Sequence, residues 1–252
     1  MAVMIKKLYR YPVKGMTAQP LDRVDLEVGR EMPFDRAYAL ARSNTAFDSG
    51  HPTWLAKTNF LMLMRDERMA EIEAGFDPAT KTLSLSLEGR ALAEGCLDDA
   101  DGRARIENAV ADVLGLGESE RPRLVAAPGH TFSDYDAKVI SLINLASVEA
   151  LAEVMGEPVD PLRFRGNLYV EGAAPWAEFD WIGRQIKIGG VVLEPIHRTK
   201  RCAATNVNPV TAARDLNIPK ALQKTYGHMD MGIYARVVAP GTIAPGKSLE
   251  IS

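Results

Sequence analysis

Cysteine is scarce: the 252 residues contain two, Cys96 and Cys202. Two are too few for a disulfide-stapled fold, for the four thiolates of an iron–sulfur cluster, or for a cysteine-only zinc site. On that count a reducing, cytoplasmic setting is expected, and metal or redox chemistry is disfavoured. A charge excess of either sign is also missing. The 30 Lys and Arg stand against 33 Asp and Glu, a formal charge of −3, which argues against a general binder of nucleic-acid backbone. Long apolar runs are absent as well. The most apolar stretch, Val139 to Met155, carries Asn144, Glu149 and Glu153 and does not suit a bilayer. The short apolar start lies before Lys6 and Lys7, the reverse of a secretory signal. No membrane and no nucleic acid are therefore expected as partners.

What is present reads as short strands punctuated by Gly and Pro. Val3 to Tyr11 stops at Pro12, and Leu21 to Val28 alternates apolar with charged residues up to Gly29. Phe34 to Ala41 alternates again, placing Arg36 mid-strand with Tyr38 and Leu40 on its face. Ala70 to Phe76 and Thr82 to Leu87 flank the turn residues Asp77 and Pro78 as a hairpin. Helical spacing covers Arg105 to Leu114, ended by Gly115, and Leu145 to Met155, ended by Gly156. Gly115 to Pro128, rich in Gly, Pro and charge, is the candidate junction. Beyond Phe164 come strands at Asn167–Glu171, Gln185–Ile188, Val191–Ile196 and Gly232–Val238, with a Gly189-Gly190 hairpin turn. The pattern predicts a mainly β, α+β chain: a closed or partly closed β-barrel with peripheral helices.

One motif is rejected on physical grounds. Gly241 to Ser248 fits G-x-x-x-x-G-K-[ST] letter for letter. A phosphate-binding loop must lead into a helix whose free N–H groups face the anion. Leu249 to Ser252 are too few to form one, and Pro245 removes a donor. A turn between two final strands is expected instead. His130, Ser133, Asp134 and Asp136 cluster in sequence and are read as a solvated acidic loop.

The most unusual segment is His197-Arg-Thr-Lys-Arg201-Cys202, which follows an apolar strand. Nearby cations favour the thiolate, the form that binds metals or attacks substrates. A surface basic run beside a small buried cysteine is the alternative. Arg163 and Arg165 share a face if Arg163-Phe164-Arg165 is extended. Lys14 follows the first strand. If these cations converge on Cys202, the site is an anion pocket beside a soft thiolate, suited to a phosphate-bearing ligand and a sulfur-preferring metal.

These residues resemble the MOSC family, the domain at the carboxyl terminus of molybdenum cofactor sulfurase. They look most like the branch containing the mitochondrial amidoxime-reducing component and its bacterial relatives. Tyr11-Pro12-Val13-Lys14-Gly15 and Asp35-Arg36-Ala37-Tyr38 match the amino-terminal signatures of that branch. Arg163-Phe164-Arg165-Gly166-Asn167 is similar to its R-F-R-P-N. Ala177-Glu178 and Trp181-Ile182-Gly183 follow as in the family. Arg201-Cys202 with Thr205-Asn206-Val207-Asn208-Pro209 is similar to its R-C-x-x-T-x-V-D-P. Gly232-Ile233-Tyr234-Ala235 and Gly241-Thr242-Ile243 resemble its closing strands. Gly166 and Asn208 depart from the usual proline and aspartate, and the approach to Cys202 differs from P-C-P-R-C.

The resemblance implies an amino-terminal β-barrel-like subdomain over 1–118 and a MOSC β-barrel over 119–252. It implies a molybdenum–molybdopterin cofactor with Cys202 as both metal ligand and catalytic residue. Lys14, Arg36 and Arg165 would hold phosphate and pterin. Asn167, Asn144 and Ser147 are weaker polar contacts, and Arg201 either touches the cofactor or tunes the thiolate. The implied activity is oxo-transfer reduction of small N-hydroxylated compounds. Some bacterial relatives carry a plant-type ferredoxin domain that two cysteines cannot supply. Electrons are therefore expected from a separate ferredoxin- or cytochrome-type protein. A sulfur carrier holding a persulfide on Cys202 is the alternative, and a cofactor-binding module without turnover is a third possibility. Cys96, without clustered cations, is expected to be structural.

Overall fold

The first strand already departs from a simple two-residue alternation. In β1 (Val3–Arg10) the buried residues Ile5 and Leu8 are three apart. A bulge between Ile5 and Lys7 accommodates the extra residue and leaves Lys6 and Lys7 exposed. The computed structural model describes residues 2–252. Along the chain follow β2 (Gln19–Leu21), β3 (Val24–Leu26), β4 (Tyr38–Ala41), β5 (Glu73–Asp77), β6 (Thr82–Leu87) and β7 (Arg90–Cys96). Next come α1 (Ala100–Leu114), β8 (Arg123–Ala126), β9 (Ile140–Asn144), α2 (Leu145–Met155), β10 (Leu168–Glu171) and β11 (Ile186–Ile188). The chain closes with β12 (Val191–Lys200), α3 (Ile218–Tyr226), β13 (Asp230–Ala239), β14 (Gly241–Ile243) and β15 (Ser248–Ile251).

Seven strands close on themselves in the order β1-β10-β9-β13-β12-β11-β15 and back to β1. The β9–β10 pair alone is parallel, and α2 makes the crossover that a parallel pair requires. Closure leaves no free edge between these strands. Leu8, Leu142, Val170, Leu193 and Ile233 fill the interior. Leu8 comes from the first residues of the chain, so the barrel is built from both ends of the sequence. The expected mainly β fold with peripheral helices is what the chain forms.

The remaining amino-terminal elements surround a second core. β5, β6 and β7 form an antiparallel sheet covered by α1, with Leu83, Leu85, Ile106 and Val110 buried between them. Asp99 caps α1 by accepting from Gly102 N at 3.0 Å, and Gly115 ends it in the left-handed region. This helix begins five residues before Arg105, because its first turn is polar and gives no apolar signal. Within the expected junction 115–128, β8 pairs with β4.

Three further expectations change. Phe34–Ala41 is strand only from Tyr38, since Phe34 and Arg36 have φ of 62° and 50°. The turn is fastened to the end of β1: Tyr11 N donates to Asp35 Oδ1 at 2.8 Å, and Arg36 N donates to Tyr11 O at 2.7 Å. Leu21–Val28 splits, because β2 pairs with β1 whereas β3 pairs with β14. β7 and α3 were not foreseen, although Asn217, Pro219 and Gly227 are ordinary start and stop signals for α3. The hairpin 73–87, the α2 boundaries, the Gly189-Gly190 turn and the turn before β15 agree with expectation. Among the described residues no helix is long and apolar enough to cross a membrane.

Candidate functional site

Chain segments from both halves meet at one end of the barrel and enclose a cavity of about 460 Å³. Lys14 arrives because the chain leaving β1 runs alongside β4, with Lys14 N donating to Tyr38 O at 2.8 Å. Arg36 comes from the turn before β4, and Lys57 from a short 3-10 turn, Lys57–Asn59. Asp134 and Tyr135 come from the loop before β9, and Arg165 from the turn before β10. The end of β12 supplies His197, Thr199 and, just past it, Cys202. Lys14, Arg36, Arg165, Asn167, Arg201 and Cys202 therefore do converge, as the sequence reading required.

The charges are arranged unevenly. Lys14 is buried; its Nζ donates to Phe132 O at 2.8 Å and pairs with Asp134. Burial lowers its pKa, and the Asp134 carboxylate offsets only part of that. Arg36 pairs with buried Asp35 and donates to Arg165 O at 2.9 Å. Burial disfavours its charge, yet Asp35 outweighs burial and holds the guanidinium above its usual range. Arg165 donates to Met16 O at 2.7 Å, while its Nη2 is buried without a partner. Burial, then the charge of Arg36, pulls its pKa down to about 10. The Tyr11 ring lies between the two guanidinium groups, 4.7 Å from Arg36 and 4.3 Å from Arg165, and its face partly compensates two like charges.

Lys57 completes the set. Its ammonium lies 3.7 Å from Asp134 and beside the Cys202 thiol. Burial opposes its charge, but the bond to Cys202 and the Asp134 charge prevail and raise its pKa. The thiol is free and half-buried, and its segment is fixed by Thr205 Oγ1, which donates to Cys202 O at 2.9 Å. Neither Lys57 nor Asp134 was singled out from sequence. Lys57 sits in an irregular loop with no motif. Asp134, read as solvated, is exposed and is also the counter-ion of Lys14.

Other candidates have structural duties. Arg201 donates to Met231 O through Nε at 2.8 Å and through Nη2, and to Phe164 O through Nη1 at 2.8 Å. It is a strut that sets the position of its neighbour Cys202. Gly232, with φ of 73°, lies under that strut, and a Cβ there would run into Leu142 O. Asn167 lines the cavity, but its Oδ1 accepts from Ser141 N at 3.0 Å and its Nδ2 donates to Tyr9 O at 3.2 Å. Asn144 and Ser147 do not line it. Both are fully buried and donate to Glu178 Oε2, at 2.9 Å and 2.8 Å, because Asn144 caps α2 and Ser147 lies in its first turn. Nor do the two arginines around Phe164 share a face. Residues 161–164 form a 3-10 turn, Arg165 has φ of 51°, and Arg163 turns away to bind Asp215 at 2.7 and 2.9 Å. Gly166 fits the packing, since a Cβ there would approach Ile143 Cγ1 to 2.5 Å.

The cavity fits the cofactor that the resemblance implies. Lys14, Arg36, Lys57 and Arg165 are among the cations lining the cavity, which outnumber its carboxylates, Glu31, Asp35 and Asp134, and the positive excess suits a phosphate group. Arg165 Nη2, Ser141 Oγ and Thr199 Oγ1 are buried without partners in residues lining the cavity, which suits a polar ligand. The volume lies within the ~300–1,000 Å³ usual for cofactor sites. Among the described residues no group of three or more His, Cys, Asp or Glu could hold a metal alone. Cys202 therefore suits a metal that brings sulfur ligands of its own.

Asp134 competes with any anion for Lys14 and Lys57. In Asp134→Asn, inorganic pyrophosphate should bind the cofactor-free protein roughly tenfold more tightly, from removal of one nearby negative charge at intermediate dielectric. Titration calorimetry at fixed salt measures this, and unchanged or weaker binding would contradict it.

The family model for the MOSC domain matches residues 129–250. The chain is 26% identical over 129 residues to mitochondrial amidoxime-reducing component 1 of Xenopus laevis, covering 51% of this chain and 37% of that protein. It is 22% identical over 254 residues to molybdenum cofactor sulfurase of Caenorhabditis briggsae, covering 98% of this chain and 35% of that protein. The chain thus matches little more than a third of the length of either relative. Among solved structures, YuaD of Bacillus subtilis aligns with a TM-score of 0.46 at 14% identity, covering 100% of this chain and 96% of that one. YiiM of Geobacillus stearothermophilus aligns with a TM-score of 0.36 at 20% identity, over 45% of this chain and 53% of that one. Residues 129–250, just under half of the chain, carry a MOSC domain.

Proposed function

We propose that this chain holds a molybdenum–molybdopterin cofactor through Cys202 and reduces N-hydroxylated compounds with electrons from a separate ferredoxin- or cytochrome-type protein. The observation that carries the reading is a half-buried free thiol opening onto a cavity whose lining cations outnumber its carboxylates. Lys14, Lys57 and Arg165 would hold the phosphate, and Arg165 Nη2 with Thr199 Oγ1 would meet polar atoms of the pterin. Lys57 lies beside the sulfur of Cys202, and Arg201 fixes the backbone that presents it. When bound, the cofactor supplies a two-electron centre able to accept oxygen. The residues of the chain contribute charge, orientation and partial exclusion of water.

The test is expression in a host that makes the cofactor, followed by metal and pterin analysis. Stoichiometric molybdenum and turnover of benzamidoxime with a chemical electron donor are expected. Protein without molybdenum from such a host would refute the reading. The match of nearly the whole chain to a molybdenum cofactor sulfurase favours a second reading, a persulfide carried on Cys202. That predicts cyanide-releasable sulfur after incubation with a cysteine desulfurase, and an unmodified intact mass would count against it.

A further inference from the structure

His197 faces the same cavity as Cys202 and has no part in the cation cluster. Its ring is held from two sides. Tyr135, from the loop before β9, meets it edge-on at 4.4 Å, and Tyr234, its cross-strand partner on β13, meets it edge-on at 5.3 Å. Nδ1 lies 2.6 Å from the carbonyl oxygen of Arg198. A carbonyl only accepts, so Nδ1 carries the hydrogen, and in the neutral ring Nε2 is left as a proton acceptor.

Reduction of an N-hydroxylated compound breaks one N–O bond and forms one N–H and one O–H bond. It consumes two electrons and two protons and releases water. The cavity contains few groups able to supply protons near neutrality. Arginine does not give up its proton. Asp35 and Asp134 are ion-paired carboxylates, the latter held below its usual range despite burial by Lys14. Lys14 and Lys57 are engaged with Asp134 and Cys202. Burial pushes the Tyr234 hydroxyl up, and Glu31 lies 3.5 Å from Lys138. Imidazole is the one side-chain type here whose ordinary range spans neutral pH.

We infer that His197 is the proton-transfer residue of this site. Nε2 takes a proton from solvent and passes it to the departing oxygen of the N-hydroxylated substrate. The second proton comes from water, and both electrons come from the separate donor protein. The titratable groups packed against the ring are Tyr135 and Tyr234. Arg198, next to it on β12, turns to the Phe179 ring at 4.2 Å. The charges elsewhere in the cavity are the lysines and arginines of its lining, Lys14, Lys57, Arg36 and Arg165 among them, and the carboxylates Glu31, Asp35 and Asp134.

This role rests on the reductase reading, and two measurements separate their failures. The first needs no cofactor. With ¹⁵N-labelled histidine, the signal lost in His197→Gln is expected to report the Nδ1–H tautomer. An Nε2–H tautomer overturns the role whatever the enzyme does. The second uses molybdenum-loaded protein, benzamidoxime and reduced methyl viologen. His197→Gln is expected to hold as much molybdenum as wild type, keep KM within about twofold and lose kcat by roughly 10²-fold. His197→Phe, which preserves packing against both tyrosines, should lose the same factor. Undiminished kcat, or a fall in molybdenum content, overturns the role. Loaded wild type that turns over no N-hydroxylated probe overturns the reductase reading itself, and the role with it.

Discussion

Replacing Cys202 by alanine should strip the protein of molybdenum and leave the fold standing. The thiol is half-buried and free, past the end of β12, and its neighbour is the partly exposed Lys57 ammonium. Its backbone is secured independently by Thr205 and by the Arg201 strut. Loss of the sulfur therefore costs on the order of 1 kcal/mol or less in stability. The metal loses its one protein ligand, so molybdenum content should fall by at least about tenfold, as removal of even outer-shell partners does. Cys202→Ser separates ligand chemistry from size, since an alkoxide is a poor substitute for a thiolate at a sulfur-preferring metal. Metal analysis beside urea unfolding decides the matter. Full occupancy in the alanine variant would refute Cys202 as the ligand.

Asp35→Ala should do the opposite and damage the fold itself. Asp35 is 5% exposed and accepts from Tyr11 N at 2.8 Å while pairing with Arg36. Its removal leaves a buried guanidinium without its counter-ion and a buried N–H without an acceptor. The expected loss is about 3–5 kcal/mol, the cost of breaking a buried pair from one side. Asp35→Asn keeps the bond from Tyr11 and should lose distinctly less. Urea unfolding of the three proteins gives the comparison, and a loss below about 1 kcal/mol in the alanine variant would contradict burial of this pair. Anion binding should weaken too, although the substitution adds net positive charge, because Arg36 no longer has a fixed place.

The two aspartates show what could and could not be read from the sequence. Asp35 stands beside Arg36 in a motif, but alternation in 34–41 imitates a strand that sets the two on opposite faces, so neither the pair nor the turn was legible. Asp134 and Lys57 carry no motif at all. Their roles arise from loops that meet only after the barrel has closed, and loop geometry leaves no periodic trace. Asn144 and Ser147 failed as cofactor contacts for a related reason. A polar residue at a helix start serves the helix first, and here it also satisfies the buried Glu178. The cation-flanked cysteine survived because charge and thiol adjoin in sequence. The opening count of two cysteines still excludes an internal iron–sulfur cluster. It does not exclude a metal whose cofactor brings sulfur with it.

Closure of the barrel by β1 also dictates an order of events during synthesis. Val3 pairs with Leu249, and Ile5 with Val170. β1 is made well before both of its neighbours and must wait for them, the second of them more than two hundred residues later. Until then β10 and β15 each lack an edge partner, and the apolar face of β1 has nowhere to go. Such distant pairings fold slowly and leave sticky edges exposed meanwhile. A fragment trimmed to the matched domain, residues 129–250, would keep those two edges permanently, and the nascent chain is a natural client for a chaperone.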